Sequence, residues 1–228
     1  MWSHSHCDVL VHNHTQDPML LSREQLEDAF LKAAQTGVLE VVKELHELCG
    51  DDILSVRDED QYTPLHRASY NGHTDVAEYL LYSGANIEAR TMDGWQPIHC
   101  ACRWNKVRTA SLLLQNGALV NSKTNGGQTP LHLAASNDRA KPTLELLLRH
   151  RDIDPSLLNG QSETALQLAE RNGRFSYLFL MVDESIDHRK FLKELEESSW
   201  LSVQSPPTQL SVFDHITAEF LYIRLLNT

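Results

Sequence analysis

The sequence predicts an all-α fold, a solenoid of about five helix-turn-helix units joined by short hairpin-like turns. Three observations lead there. The first is a recurring phrase: Thr63-Pro64-Leu65-His66, Gln96-Pro97-Ile98-His99 and Thr129-Pro130-Leu131-His132 stand 33 residues apart, and a worn copy, Thr164-Ala165-Leu166-Gln167, follows after 35. The second is apolar phase. Ala68, Ala101 and Ala134 each lie three residues past the Leu or Ile of the phrase, and Leu80-Leu81, Leu113-Leu114 and Leu147-Leu148 recur near the end of each unit. The third is punctuation, with Gly84-Ala85 and Gly117-Ala118 at matching offsets. A unit of this length cannot bury its apolar face alone, so a fixed period implies stacking on neighbours.

Each element follows from the phrase. The Thr63 hydroxyl suits a helix N-cap, and Pro64 suits the first helical position, where a missing N–H costs nothing. Leu65 and Ala68 face the core, the small Ala allowing close helix approach. Gly72 suits the helix end, and Asn105 takes that place one unit on, because asparagine tolerates positive φ better than most residues. Val76, Leu80 and Leu81 form the apolar stripe of the second helix. The 35-residue interval implies two single insertions, one within 136–141 and one within 149–162, both in connections where added length is cheap.

The predicted organisation is a disordered N-terminal tail over 1–22, a repeat domain over 23–186, and a C-terminal extension over 187–228, partly helical or disordered. Units fall near 24–57, 58–90, 91–123, 124–158 and 159–186. The first keeps Ala33-Ala34, Gly37, Val41 and Leu45 in phase but lacks the phrase, and the last has lost its Pro and His. Both read as caps.

Composition narrows the function classes. The net charge is −11 over 228 residues, which disfavours direct nucleic-acid binding and favours a basic partner through steering. No apolar run approaches the ~20 residues that span a bilayer, so no membrane is expected. The first twenty residues lack a basic start and a clean apolar stretch and do not read as a signal peptide. Cys7, Cys49, Cys100 and Cys102 show no framework spacing and read as reduced, small core residues. The expected location is nuclear or cytoplasmic.

No catalytic motif stands out. The chain has no G-x-G-x-x-G, P-loop, H-E-x-x-H or G-x-S-x-G pattern, so no enzyme, cofactor or small-molecule substrate is expected. His4, His6, Cys7, His12 and His14 fit no closed tetrahedral spacing, so no metal is expected either. The ladder His66, His99 and His132 imitates a metal or catalytic array, but a buried polar ring needs a hydrogen-bond partner, and the structural reading is preferred. The charged run Arg57-Asp58-Glu59-Asp60 reads first as a solvated turn, and second as a recognition surface for a basic partner.

The T-P-L-H phrases at a 33-residue period identify the chain as resembling the ankyrin-repeat family, over roughly Glu24 to Val182, about 70% of the chain. Within it, the run Arg57 to Leu148 bears a closer resemblance to one vertebrate member, on RDEDQYTPLHRASYNGH, DGWQPIHCACRWN and TPLHLAASN; the flanks depart from it. The resemblance implies a small adaptor. It implies that the ladder histidines bond the backbone of the adjoining loop. It also implies that a partner lies on the concave side, against the turn fingers and the first helices.

The repeat register then gives the candidate partner-binding residues. They are Glu59, Asp60, Tyr62, Tyr70 and Asn71 in the second unit, and Met92, Asp93, Trp95, Arg103 and Trp104 in the third. The fourth contributes Asn125, Gln128, Ser136 and Asn137. Tyr62 and Trp95 hold the same repeat position, so four exposed aromatics bordered by carboxylates are expected, the composition of a binding hot spot. A competing reading packs some of these rings against their own scaffold. The function expected is a non-catalytic protein-interaction scaffold or adaptor in a nuclear, transcription-linked complex, the alternative being a dedicated chaperone that shields a basic client.

Overall fold

The computed structural model describes residues 22–172 and 175–179. The predicted tail, apart from Ser22, and the predicted extension lie outside the described residues. Nine α-helices are described: α1 Arg23–Thr36, α2 Leu39–Cys49, α3 Pro64–Asn71, α4 Thr74–Tyr82, α5 Pro97–Arg103, α6 Val107–Gln115, α7 Pro130–Ala135, α8 Lys141–Leu148 and α9 Ala165–Asn172. A 3-10 turn, Asp51–Ser55, follows α2.

Local chemistry sets the helix starts. Thr63 and Thr129 are extended N-caps whose hydroxyls accept the N–H of His66 and His132, with Pro64 and Pro130 just inside. Satisfying an orphan N–H in this way stabilises a helix by about 1 kcal/mol. Ser22 caps α1 in the same manner, with Gln25 reaching back to the cap N–H. Gly72 and Asn105 both adopt positive φ, 86° and 54°, at the equivalent helix ends.

The odd-numbered helices pack in order, α1 on α3, α3 on α5, α5 on α7 and α7 on α9. The even-numbered helices form a second row, with α2 on α4, α4 on α6 and α6 on α8. Between the rows lies one continuous core, in which Phe30, Leu65, Leu80, Ile98, Leu113, Leu131, Leu144 and Leu147 are fully buried. Ala68, Ala101 and Ala134 have no exposed surface, so a larger group there would separate adjacent helices. The two inserted residues sit in connections: α7 and α8 start 11 residues apart and α8 and α9 start 24 apart, against 10 and 23 in the units before.

Cys100 and Cys102 are buried, and burial pushes the Cys100 thiol up to about 12. Both are therefore protonated core residues. Cys49 departs from the core expectation and is half-buried at the end of α2.

Candidate partner-binding surface

Each finger is a tight turn closed on itself. In the second unit Asp58 N donates to Tyr62 O at 3.1 Å, in the third Thr91 N to Trp95 O at 2.9 Å, and in the fourth Thr124 N to Gln128 O at 3.0 Å. A polar group at the first position holds the turn from inside. Asp58 Oδ1 accepts from Tyr62 N at 2.9 Å, and the Thr91 and Thr124 hydroxyls accept from Trp95 N and Gln128 N at 3.1 Å each. Successive fingers are then linked: Met92 N donates to Asp60 O at 3.1 Å, and Asn125 N to Asp93 O at 3.0 Å.

The histidine ladder ties each unit to the next finger. His66 Nε2 lies 2.9 Å from Trp95 O, His99 Nε2 3.1 Å from Ser122 O, and His132 Nε2 3.0 Å from Glu163 O. On the other side of each ring, Nδ1 accepts a backbone N–H, from Thr63 at 3.2 Å, Gln96 at 3.0 Å and Thr129 at 3.3 Å. A carbonyl only accepts and an amide only donates, so each ring is the neutral Nε2–H tautomer. Burial lowers His66 and His99 to about 4 and lowers His132 in the same direction. Rings held neutral with both nitrogens occupied have no lone pair left for a metal or a proton relay.

A second ladder was missed by sequence reasoning. Arg57 Nη1 donates to Arg90 O at 2.8 Å, Arg90 Nη2 to Lys123 O at 2.8 Å, and Lys123 Nζ to Leu158 O at 2.9 Å. The signal was present, since these cations also recur every 33 residues.

The structure divides the predicted site residues. Glu59, Asp60, Met92 and Asp93 are exposed on the second and third fingers, Met92 at 66%. Asp58, one residue before them, is half-buried and takes Arg67 Nε at 2.8 Å, with Arg67 Nη2 reaching the same oxygen. The charged run is thus not uniform: one carboxylate builds the finger, and Glu59 and Asp60 form no ion pair among the described residues.

The aromatic expectation needs correction. Tyr62, Tyr70 and Trp95 are half-buried rather than exposed. Tyr62 packs edge-on to His66, with centroids 5.6 Å apart, under the Arg67 guanidinium at 4.7 Å. Trp95 tilts against His99 at 6.4 Å. Each ring covers the ladder histidine of its own unit, which explains its burial. Burial pushes the Tyr62 phenol up to about 12, and the Asp60 and Asp93 carboxylates act in the same direction. Trp104 is exposed at 44% and pairs with Tyr70 across the unit boundary, while the Arg103 guanidinium stands 5.5 Å from its centroid. Asn137 anchors this corner by donating to Arg103 O at 2.7 Å.

Two carboxylate-bearing fingers beside an aromatic pair can bind; they present no nucleophile with a supporting base. Among the described residues no group of three or more His, Cys, Asp or Glu could hold a metal ion. No described helix is long and apolar enough to cross a membrane.

A family model for ankyrin repeats in three copies matches residues 3–91, 30–124 and 83–159. The chain belongs to the ankyrin-repeat family. Among characterised relatives, it is 65% identical over 130 residues to ankyrin repeat domain-containing protein 49 of Bos taurus, covering 57% of this chain and 55% of the relative. It is 62% identical over 130 residues to the protein of that name from Homo sapiens, covering 57% and 54%. A stretch of 58 residues is 41% identical to alpha-latrocrustotoxin-Lt1a of Latrodectus tredecimguttatus, covering 25% of this chain and 4% of the toxin. The chain spans about half the length of the first two relatives. Ankyrin repeats are protein–protein interaction domains, so a protein partner is what this fold takes.

Proposed function

We propose that the chain is a non-catalytic adaptor that holds a basic segment of a partner protein on its second and third fingers and the adjoining ends of α3 and α5. The observation that carries this reading is the set Glu59, Asp60 and Asp93. All three are exposed, and none forms an ion pair among the described residues, while the adjacent Asp58 is committed to Arg67. Unpaired carboxylates on a preformed turn attract cations without first breaking an internal pair. Tyr70 and Trp104 supply the rigid apolar anchor beside them. The adaptor works in the nucleus or cytoplasm and takes neither nucleic acid nor a small-molecule substrate.

Affinity capture from native cells tests this, comparing wild type with Glu59→Ala/Asp60→Ala/Asp93→Ala. Basic proteins held by the wild type and lost by the folded variant support the reading. An unchanged set of captured proteins ends it.

A second reading, a chaperone for a basic client, draws on charge segregation. Residues 23–90 carry fourteen carboxylates against six cations, so the surplus spreads well beyond the fingers. A complex driven by that diffuse charge weakens steeply as salt rises, because exposed charges are screened. A complex held at the fingers loses most of its salt dependence in Glu59→Ala/Asp60→Ala/Asp93→Ala, whereas one driven by the diffuse charge keeps it.

A further inference from the structure

Five Asn-Gly pairs occur in the sequence: Asn71-Gly72, Asn116-Gly117, Asn125-Gly126, Asn159-Gly160 and Asn172-Gly173. Asparagine is thermolabile, and glycine, with no Cβ, lets its backbone nitrogen approach the preceding carboxamide. The structure treats the pairs differently. The amide of Gly72 donates to Ala68 O at 2.8 Å, that of Gly117 to Leu114 O at 3.1 Å, and that of Gly160 to Gly126 O at 2.9 Å. Asn159 is also buried, its Oδ1 accepting from Gln161 N at 2.8 Å and Glu163 N at 3.0 Å. Gly173 lies outside the described residues.

Asn125-Gly126 differs from these three at the glycine amide. Asn125 is exposed on the fourth finger. The Gly126 amide donates no hydrogen bond among the described residues. A Cβ built at Gly126 would meet Thr124 Oγ1 at 3.8 Å, an ordinary van der Waals contact. The backbone of the pair is held by Asn125 N donating to Asp93 O at 3.0 Å and Gly126 O accepting from Gly160 N at 2.9 Å, and the reacting side chain by one bond, Asn125 Nδ2 to Met92 O at 2.9 Å. A single exposed hydrogen bond of this kind opens readily.

We propose that Asn125 is a spontaneous modification site, the one among the four described Asn-Gly pairs that the native fold leaves open to deamidation. The Gly126 nitrogen attacks Cγ of Asn125, forming a new bond between them and closing a succinimide. The bond from Cγ to Nδ2 breaks, and Nδ2 leaves as ammonia with the proton given up by Gly126. Water then adds to one of the two ring carbonyls, giving aspartate or isoaspartate.

The product changes the surface. The donor to Met92 O is lost, which removes one tie between the third and fourth fingers. A carboxylate appears beside Asp93, lengthening the acidic row from two fingers to three. The conversion stands on the geometry alone and does not depend on the partner.

The test is peptide mapping by mass spectrometry after incubating the folded full-length protein at mildly alkaline pH. Position 125 converts to acid and splits into two isomers, while 71, 116 and 159 remain amides. In denaturant those three convert alongside 125, because the protection comes from the fold. Gly126→Ala, whose Cβ meets only an ordinary contact with Thr124 Oγ1, slows conversion at 125 many-fold, because the Cβ hinders the attacking nitrogen. The proposal is overturned if native 125 stays an amide, if 71, 116 or 159 convert as fast in the native protein, or if Gly126→Ala converts like wild type.

Discussion

The Tyr70 and Trp104 rings meet across the boundary of the second and third units, with centroids 4.9 Å apart and planes tilted by 53°. Trp104 keeps 44% of its surface exposed in that pair. A large ring held rigid yet open is suited to a partner contact. Trp104→Ala is therefore expected to lower stability by about 1–3 kcal/mol, the aromatic pair together with the buried part of the ring. Partner affinity of the folded variant should fall as well, by about 2 kcal/mol or roughly 30-fold, as for a hot-spot residue. A urea melt and a capture titration on one variant check both halves.

The buried histidines make stability depend on pH in a set direction. His66 and His99 sit at about 4 in the folded protein, below the ordinary 6.5. Between those values the unfolded state holds more protons, so stability rises with pH across the window. The contribution is complete above 6.5 and is lost as pH falls toward 4, at roughly 3 kcal/mol for each fully buried ring. The urea midpoint should drop markedly from pH 7 to pH 4.5. A flat midpoint would show that these rings are not held neutral.

Asp58 and Glu59 are neighbours with opposite roles. Asp58 accepts two backbone amides, Asp60 N at 3.1 Å and Tyr62 N at 2.9 Å, and pairs with Arg67. Asp58→Ala should cost about 1–3 kcal/mol by stranding those donors. Glu59→Ala should stay within about 0.5 kcal/mol, as for an unengaged surface residue. Equal urea midpoints for the two variants would contradict this division.

The adjacent glycines of the fourth finger should also differ. Gly127 has φ 72°, and a Cβ there would stand 2.7 Å from Gly160 N. Gly127→Ala should destabilise by on the order of 1–2 kcal/mol, through strain and the clash. Gly126→Ala meets neither obstacle and should melt like wild type. Thermal melts by circular dichroism separate the two.

Much of this fold was legible because a 33-residue period constrains every unit at once. Phase alone located the core positions Leu65, Ile98 and Leu131 and placed both insertions in connections. Ring burial was less legible. The register puts Tyr62 and Trp95 on the fingers, but whether a ring stands out or folds down over His66 or His99 depends on packing in three dimensions. Charge roles were hidden for a similar reason. Asp58 looks like Glu59 and Asp60 in the sequence, and only the turn geometry brings Arg67 and two amides onto it. The cations Arg57, Arg90 and Lys123 were visible at the repeat period, but their acceptors are backbone carbonyls, which no residue pattern displays.

The binding surface itself is tested most directly by hydrogen exchange of the captured complex against the free protein. The account predicts new protection at 58–62, 91–95 and the adjoining helix ends 70–71 and 103–104, with α2 and α4 unchanged. Protection confined to α2 and α4, with both fingers exchanging as in the free protein, would contradict it.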